Sequence, residues 1–431
     1  MNLLVISFII AFIFILLETP LFTVIAGLSL ACLYSIDHDF LSLQIILIEM
    51  NRLASMPVLI ALPLFTLAGC VLSETGAPKR IMNLIKALTG RLPGGVAIAA
   101  LGSCAFFTAL TGASGVTIVA MGSILYPVLR NNQYSEKFSL GLLTTSGSLG
   151  LLFPPSLPVI LYGVVAQVDI SKIFRAALIP GILLIAALSV FAVCHDYFSR
   201  RSTKSRWSPK TVSCSEIWTA FRDSVWDWPV VIIIVAGVYG GVVSIAEVSA
   251  VILVYIVLVE CFILKELDFI KQLPGIMVES AILSGAIIVI LGVALGFTGF
   301  LIDEQIPNRI LEALVSVTQN RYVFLAGLNV FLLVVGCVMD IFSAIIIIVP
   351  IMVPVALMYG IDPVHLCIIF LVNLEIGYAT PPVGINLFIS SLKFQKPVTL
   401  LYRASVPYLL ILLLVLIGIT YVPTLSLLLV R

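Results

Sequence analysis

Long apolar runs alternate with short polar stretches along most of this chain. A helix that spans a lipid bilayer needs about 20 mainly apolar residues, and many of the runs approach that length. The pattern predicts about ten full crossings. We place them at residues 2–17, 21–36, 57–73, 138–168, 177–198, 229–244, 248–263, 277–301, 362–392 and 405–422.

Two further apolar stretches, 93–127 and 323–354, do not fit a plain crossing. Each is interrupted near its middle by a cluster of small or polar residues. At about 1.5 Å per residue, each stretch is too long for one spanning helix and too short for two. We therefore expect two re-entrant helical hairpins, which enter the membrane and return on the same side.

Composition points to the same fold class. The chain is 61% hydrophobic and 10% charged, whereas an ordinary soluble domain is about 45–50% apolar and about 25% charged. So few charges could not cover the surface of a soluble fold, and the sequence predicts an all-α polytopic membrane protein. A net charge of +1 gives no reason to expect a nucleic-acid partner. Without a P-loop motif, the chain is not expected to hydrolyse ATP itself.

The distribution of lysine and arginine predicts the topology. If the N-terminus is outside and both hairpins are re-entrant, 17 of the 23 basic residues fall on the cytoplasmic side. This asymmetry follows the positive-inside rule, and it would degrade if either hairpin were a single crossing. The basic segment 199–228 is then a cytoplasmic linker.

A short motif occurs twice. The pattern G-x-x-x-P-P begins at Gly150 and again at Gly377. We call the shift that carries Gly150 onto Gly377 the repeat offset. The same shift carries Pro127 onto Pro354, so each of these prolines precedes its double proline by an equal interval. A chance match of two short proline motifs is the alternative to a repeat.

The repeat offset divides the chain into residues 1–198, the linker and residues 229–431. Each half would contain five crossings and one hairpin, so the second half would enter the membrane upside down. Inverted-topology repeats are typical of transporters, whose substrate and ion sites lie near the midplane where the repeats meet.

Each double proline lies near the centre of a predicted crossing. Proline lacks a backbone N–H and clashes with the preceding turn, so two successive prolines break a helix. The freed carbonyls are hard oxygen ligands for a small cation, and the half-helix that follows each break presents N–H groups to an anion. A purely structural kink is the alternative for either motif alone. The carbonyls are those of residues such as Gly150, Phe153, Gly377 and Thr380, and Ser156 and Asn386 follow the breaks.

The hairpin tips supply further candidates. The first tip carries the hydroxyls of Thr111 and Ser114, and the second carries Asp340 in an otherwise apolar run. Ionisable residues inside a membrane are costly and usually functional. For Asp340 we consider, in order, a cation ligand, a proton carrier, and a hydrogen-bond acceptor for freed backbone. Glu375 is a similar residue close to the second break, whereas Glu260 is expected at the membrane boundary.

No lysine or arginine lies at the predicted membrane depth. An anionic substrate would then be neutralised by helix N-termini, hydroxyls, an amide and bound cations. This favours a coupled cation such as Na⁺, with two sites because there are two breaks. The predicted substrate-binding residues are Thr111, Ser114, Ser156, Asp340 and Asn386.

At these motifs the chain resembles the large membrane subunit (M, or DctM-like, subunit) of tripartite ATP-independent periplasmic (TRAP) transporters. The resemblance spans nearly the whole chain. It rests on Thr111-Gly-Ala-Ser-Gly-Val-Thr117, Gly150-Leu-Leu-Phe-Pro-Pro-Ser-Leu-Pro158 with Tyr162-Gly163, Asp340, and Gly377-Tyr-Ala-Thr-Pro-Pro-Val-Gly-Ile-Asn-Leu-Phe388.

The resemblance implies a scaffold domain and a moving transport domain that work as a Na⁺-driven elevator in a bacterial inner membrane. It also implies a periplasmic substrate-binding protein, a small four-helix membrane subunit, and carboxylate substrates such as C4-dicarboxylates or sialic acid. Because no extra helices precede residue 1, we expect the small subunit to be a separate chain.

The family's Na⁺ sites lie between a hairpin tip and a broken helix. Carried over to matching positions, one site comprises Gly112, Ser114, Gly150, Phe153 and Pro155, and the other comprises Gly336, Asp340, Gly377, Thr380 and Pro382. Gly115 stands where many members have a hydroxyl or alanine, which affects side-chain contacts at the first tip but not backbone ones.

Three rival functions remain open at this point. The nearest is a single-component carboxylate or anion transporter of the same two-hairpin superfamily. A membrane enzyme or assembly scaffold is disfavoured, because no metal cluster or nucleophile–base pair is evident in the sequence. An open channel is disfavoured because hairpins and broken helices suit alternating access.

Overall fold

The computed structural model describes most of the chain. The described residues are isolated positions between 23 and 51, then 55–90, 92–202, 214–240, 243–303, 305, 318–381 and 384–430; side chains are not described at 199–202, 214 and 293–303. The predicted crossing 2–17 lies outside the described residues, and so does most of the crossing 21–36.

The described residues form helices and connecting turns, with no strand among them. Before the linker lie a 3₁₀ turn Pro57–Ile60, α1 Ala61–Ser73, α2 Ala77–Thr89, α3 Gly95–Thr111, α4 Ser114–Asn131, α5 Glu136–Ser146, a 3₁₀ turn Leu149–Leu152, α6 Leu157–Ala166 and α7 Ile170–Ser202. After residue 213 lie α8 Cys214–Asp223, α9 Trp228–Ile234 with a π turn Val235–Tyr239, α10 Ile245–Leu258 with a π turn Val259–Ile263, α11 Leu273–Asp303, α12 Arg321–Val338, α13 Ile341–Met358, α14 Pro363–Gly377, α15 Ile385–Phe394, α16 Val398–Tyr421 and α17 Thr424–Leu427.

Six helices of the described part are long and apolar enough to cross a membrane. They are α7, α10 with its π turn, α11, α12, α13 and α16. A seventh span is formed if α5 and α6, which are bent by 46° at their break, are counted together. The structure therefore supports a multi-pass helical membrane protein, while the number of ten crossings stays a prediction.

Both stretches predicted as hairpins consist of two helices joined by a two-residue tip. The first helix pair is α3 and α4, with its tip at Gly112-Ala113, and the second is α12 and α13, with its tip at Met339-Asp340. Gly112 has a φ of +65° and ends α3 in the left-handed conformation that glycine adopts without penalty. The second tip is extended, and Asp340 instead caps the start of α13. Re-entry into the membrane stays a prediction.

Both double-proline motifs interrupt their helices, as the physics of proline predicts. We call residues 147–156, between α5 and α6, the first break, and residues 378–384, between α14 and α15, the second break. The first break contains Pro154 and Pro155, and the second contains Pro381. Pro382 lies outside the described residues.

Helix bounds recur at the repeat offset found in the sequence. Shifting Ser114–Asn131 by this offset gives 341–358, which are the bounds of α13. The same shift carries Leu157–Ala166 to within one residue of α15. Two left-handed residues, Gln133 and Gly360, are also related by it. Local geometry therefore repeats along with the motif.

The two halves pack into each other. The second arm of the first helix pair, α4, packs on α15, and the second arm of the second pair, α13, packs on α6. Each helix that follows a break therefore packs on the second arm of the helix pair from the other half. The predicted linker is not all loop, since α8 lies within it and packs on α2.

Candidate functional site

In each half, a helix pair makes a close backbone contact with the glycine that begins the G-x-x-x-P-P motif. A Cβ atom on Gly377 would lie 2.6 Å from the Cα of Gly336, next to the second tip. A Cβ atom on Gly150 would lie 2.5 Å from the backbone N of Ala109. The repeat offset carries Ala109 onto Gly336 and Gly150 onto Gly377, so the two contacts are equivalent. Only glycine permits approaches this close.

The first tip lies against both sides of the first break. A Cβ atom on Gly112 would lie 2.7 Å from the Cγ atom of Leu157, the first residue of α6. A Cβ atom on Gly147 would lie 3.3 Å from the carbonyl oxygen of Ser114. The predicted neighbours Gly112, Ser114 and the first break are therefore brought together.

The carbonyls predicted as cation ligands are only partly occupied by hydrogen bonds. The Gly150 carbonyl accepts the N–H of Phe153 at 3.0 Å, and the Phe153 carbonyl accepts the N–H of Ser156 at 3.0 Å. The Gly377 carbonyl accepts the N–H of Thr380 at 2.9 Å. A carbonyl oxygen has two lone pairs, so each can also coordinate a cation.

Side chains at the breaks point in different directions. The Phe153 ring packs on α7, where a Cβ atom on Gly181 would lie 2.7 Å from it. The Thr380 hydroxyl donates to the Ile376 carbonyl at 2.7 Å. Pro155 follows a cis peptide bond with Pro154. At Phe153 and Pro155, therefore, only backbone oxygens are candidate ligands.

Two predicted substrate residues meet across the halves. The Ser114 hydroxyl donates to the Asn386 side-chain oxygen at 2.8 Å, and both residues are buried. The Asn386 amide nitrogen donates to the Thr144 carbonyl at 3.4 Å, and its backbone N–H donates to the Tyr378 carbonyl at 3.0 Å. The first tip is thus tied through Asn386 to α5, to α15 and to the second break.

The other predicted hydroxyls are occupied locally. Thr111 donates to the Phe107 carbonyl at 3.1 Å, one turn back in α3. Ser156 donates to the Leu151 carbonyl across the first break and is fully buried. Neither hydroxyl bonds to the Ser114–Asn386 pair. Both would have to exchange an existing hydrogen bond to reach a substrate.

Asp340 is the N-cap of α13. Its carboxylate accepts the backbone N–H groups of Phe342 and Ser343, both at 3.0 Å, and the Ser343 hydroxyl. The backbone N–H of Ile341 donates to the Tyr378 hydroxyl, which links the second tip to the second break. Of the three roles considered for Asp340, bonding to freed backbone is the one that these contacts display.

The sequence did not predict a partly buried ion cluster around Arg80. Arg80 bonds to Asp227 through Nε and Nη2 at 3.0 and 3.1 Å, to Glu260 at 2.6 Å, and to Glu266 at 2.8 Å. Burial alone would lower the pKa of Arg80, but these carboxylates hold it above its ordinary value. Glu260 is only 1% exposed because it packs inside the protein beside Arg80, and its position at the membrane boundary stays a prediction. All three partners are far from Arg80 along the chain, a separation that no local pattern reveals.

The sequence also did not predict a network of buried polar side chains centred on α14. Asn373 donates to Asn329 at 2.7 Å, and Asn329 donates to the Thr420 hydroxyl at 3.1 Å. The ring of His365 bonds to the Ser426 hydroxyl at 2.6 Å and to the Thr420 carbonyl at 3.3 Å. These contacts join α12, α14, α16 and α17.

The oxygen ligands near the two breaks suit a hard cation. They are backbone carbonyls, hydroxyls and the single carboxylate of Asp340. Within the described residues, no group of three or more His, Cys, Asp or Glu side chains could hold a metal ion. Neutral oxygen ligands are those that alkali and alkaline-earth ions accept.

These features define a multi-pass helical membrane protein with two interrupted helices at its centre. The chain matches the family described as "Tripartite ATP-independent periplasmic transporter, DctM component" over residues 8–425. It is 36% identical to the C4-dicarboxylate TRAP transporter large permease protein DctM of Pseudomonas aeruginosa, over 86% of this chain and 85% of that protein. The chain therefore belongs to the DctM family of TRAP transporter large permease proteins, which are transporter subunits and not enzymes.

Two other similarities are informative. The isethionate TRAP transporter permease protein DctMQ of Oleidesulfovibrio alaskensis is 34% identical over 87% of this chain, and the aligned part is 58% of that longer protein. The structure of the YdaH transporter of Alcanivorax borkumensis is similar with a TM-score of 0.58, covering 87% of this chain and 86% of that one. At 13% identity, this second similarity concerns the fold alone.

Proposed function

We propose that this chain is the large permease subunit of a bacterial inner-membrane TRAP system that couples the uptake of a small organic acid to Na⁺. The observation that carries the proposal is the paired contact of a glycine in each motif with a helix pair, Gly150 with Ala109 and Gly377 with Gly336. These contacts bring the carbonyls of the breaks close to the helix pairs, and the binding of a small cation requires several oxygen atoms close together.

We place one Na⁺ at each break. Backbone oxygens of the first tip and first break would form one site, and those of the second tip and second break, with Asp340 and Thr380, would form the other. Two bound cations would neutralise the charge of an anionic substrate, because the described spans carry no basic side chain near the breaks. The Ser114–Asn386 pair links the first tip to the Tyr378 carbonyl of the second break, and it is our candidate for binding the substrate carboxylate.

The two halves are proposed to be inverted repeats whose helix pairs and breaks together form a moving domain. The recurrence of helix bounds at the repeat offset supports the repeat. The packing of α4 on α15 and of α13 on α6 supports movement of both helix pairs as one body. The remaining long helices would form the scaffold of an elevator mechanism.

The partners are proposed from the family. A small four-helix membrane subunit and a periplasmic substrate-binding protein would complete the transporter. The substrate class is proposed by analogy with relatives that are named as C4-dicarboxylate and isethionate transporters, while other relatives are named as ectoine transporters. The first two names denote small organic anions.

Reconstitution tests this proposal directly. Proteoliposomes that contain this chain and both partners should accumulate labelled dicarboxylate only under an inward Na⁺ gradient. Uptake that ignores the gradient would contradict Na⁺ coupling. Uptake that needs no binding protein would instead select a single-component transporter of the same fold.

A side-chain variant locates the second site. Thr380→Ala removes a hydroxyl oxygen beside the second break, and we expect the apparent affinity for Na⁺ to fall by about tenfold, roughly 1.4 kcal/mol. Thr219→Ala is the matched control, because its hydroxyl makes the same kind of intrahelical bond, at 2.8 Å, in α8. An equal loss in both variants would remove Thr380 from the site.

A further inference from the structure

Helix α8 presents an aromatic face that is largely exposed. Trp218 is 68% exposed, and Phe221, nearly one turn later, is 40% exposed. Their rings stack with centroids 6.1 Å apart. Val225 and Trp226, just after the end of α8, are exposed as well. A cluster of large exposed apolar side chains marks a surface that another molecule covers.

The polar residues of α8 lie on the opposite face. At about 3.6 residues per turn, Trp218 and Phe221 share one side of the helix, whereas Glu216 and Asp223 share the other. All four side chains are exposed, and α8 also packs on α2. A helix with one aromatic face and one charged face is suited to lie in the plane of a membrane surface.

The tryptophans of the chain are concentrated at this place. Three of the four, Trp218, Trp226 and Trp228, lie in α8 or between it and the start of α9. Tryptophan is enriched where a membrane meets water, because the indole ring combines a large apolar area with an N–H donor. Since α8 directly precedes the apolar helix α9, its tryptophans lie close to where the chain enters the membrane.

A polar cleft adjoins the aromatic face. It has a volume of about 450 Å³ and lies between α2, the end of α8 and the loop after α10. Lys79 and Arg222 line it, and within the described part of the chain neither side chain forms a hydrogen bond or an ion pair. Trp226 lines the same cleft, so this residue connects the cleft with the aromatic face.

The cleft carries charges of both signs. Besides Lys79 and Arg222, it is lined by Asp223 and Glu266, and Glu266 already accepts hydrogen bonds from Arg80. Two cations beside a carboxylate suit a headgroup that contains both a phosphate and a primary amine. The phosphate would accept charge-assisted hydrogen bonds from Lys79 and Arg222, and the ammonium group would donate to Asp223.

We propose that α8 is an interfacial helix whose aromatic face is covered by membrane phospholipid, and that the adjoining cleft binds the headgroup of an aminophospholipid. The site would attach α2, which connects α1 to the first helix pair, to the membrane surface. The proposal concerns a surface away from the breaks, and it does not depend on Na⁺ coupling or on the identity of the substrate.

Quenching of tryptophan fluorescence tests the position of the aromatic face. Replacing Trp207, Trp226 and Trp228 by phenylalanine leaves Trp218 as the only tryptophan of the full chain. In liposomes that also contain the small membrane subunit, we expect phospholipid brominated in its acyl chains to quench Trp218, and aqueous acrylamide to quench it little. If the triple variant does not fold, the difference between the wild type and Trp218→Phe gives the same measurement with one substitution.

The matched control places the only tryptophan on the polar face. Glu216→Trp, in a chain whose four native tryptophans are phenylalanine, should be quenched by acrylamide and not by brominated lipid. Quenching of Trp218 by acrylamide alone would mean that the aromatic face contacts water, and this would overturn the proposal. Lipid quenching that occurs in the isolated chain but is lost when the small subunit is added would mean that a protein covers the face, and this would overturn it too.

The headgroup is tested in phosphatidylcholine liposomes that contain a small fraction of one brominated lipid. We expect brominated phosphatidylethanolamine to quench Trp218 about twofold more strongly than brominated phosphatidylcholine or phosphatidylglycerol at the same fraction. Lys79→Gln combined with Arg222→Gln should remove this difference, whereas Lys86→Gln, on α2 but outside the cleft, should preserve it. Equal quenching by the three lipids, or strongest quenching by phosphatidylglycerol, would overturn the assignment of an aminophospholipid.

Discussion

The Ser148 hydroxyl donates to the backbone carbonyl of Glu375 at 3.4 Å, and the repeat offset carries Ser148 onto Glu375. They are therefore equivalent residues of the two halves in direct contact. When two copies of a unit are related by a two-fold axis, a residue can touch its own equivalent only close to that axis. The contact supports an axis that passes between the first break and α14.

Substitution of Gly377 tests its close contact with Gly336. In Gly377→Ala the new methyl group would meet the Gly336 backbone at 2.6 Å, so α12 and α14 must separate. Overpacking of this kind costs about 1–3 kcal/mol, and we expect Na⁺-dependent uptake to fall at least tenfold. Gly327→Ala on α12 is the control, since nothing lies within 4 Å of its Cβ position. Similar uptake in the two variants would contradict a role for the contact.

Ser114 should affect substrate handling more than folding. Ser114→Ala leaves the buried Asn386 oxygen without its donor, which costs about 1–3 kcal/mol. We expect a higher KM for the carboxylate substrate in reconstituted uptake and a small loss of thermal stability. Ser123→Ala, on the exposed side of the same helix, removes a hydroxyl that bonds only within α4 and should leave KM unchanged. An unaltered KM in Ser114→Ala would place the substrate elsewhere.

The helix-capping role of Asp340 and its negative charge can be tested separately. Asparagine also caps helices, so Asp340→Asn should keep the stability of α13, whereas Asp340→Ala should lose about 1 kcal/mol. If the charge binds Na⁺, both variants lose Na⁺-dependent uptake, and this is the result we expect. Detergent melting temperatures and uptake, measured on the same preparations, separate the two contributions. Full uptake by the asparagine variant would leave Asp340 as a cap only.

Arg80 is expected to be a stability residue. Arg80→Ala leaves Glu260 buried without a partner, and breaking a buried pair from one side costs about 3–5 kcal/mol. Thermal unfolding should therefore occur at a clearly lower temperature. Glu260→Gln, added to Arg80→Ala, should recover part of the loss because it removes the unpaired charge. Lys86→Ala on the same helix is the control, and a double variant no better than Arg80→Ala would rule out this electrostatic cause.

Much of the architecture could be predicted because proline and glycine act locally. The breaks at Pro154-Pro155 and near Pro381 follow from the missing N–H and the steric clash of proline, and the tip at Gly112 follows from a run of small residues. The bounds of α13 could even be transferred from α4, since the two differ by the repeat offset.

Other features could not be predicted, because they depend on contacts between residues that are distant in the sequence. The Ser114–Asn386 bond joins the first tip to a helix near the end of the chain, and the Arg80 cluster joins three carboxylates that lie far along the sequence. Helical periodicity describes a residue's own helix but not the element that packs against it. For this reason the ion pair between Glu260 and Arg80 was not predicted. The same limit applies to Ser156, because its hydrogen bond to the Leu151 carbonyl depends on how the first break folds.

The packing of helices across the two halves has a consequence for each half taken alone. The helix that follows each break packs on a helix of its own half, α6 on α7 and α15 on α16, but its largest contact is with the other half, α6 with α13 and α15 with α4. Neither half alone would therefore bury the helix that follows its break to the extent seen here.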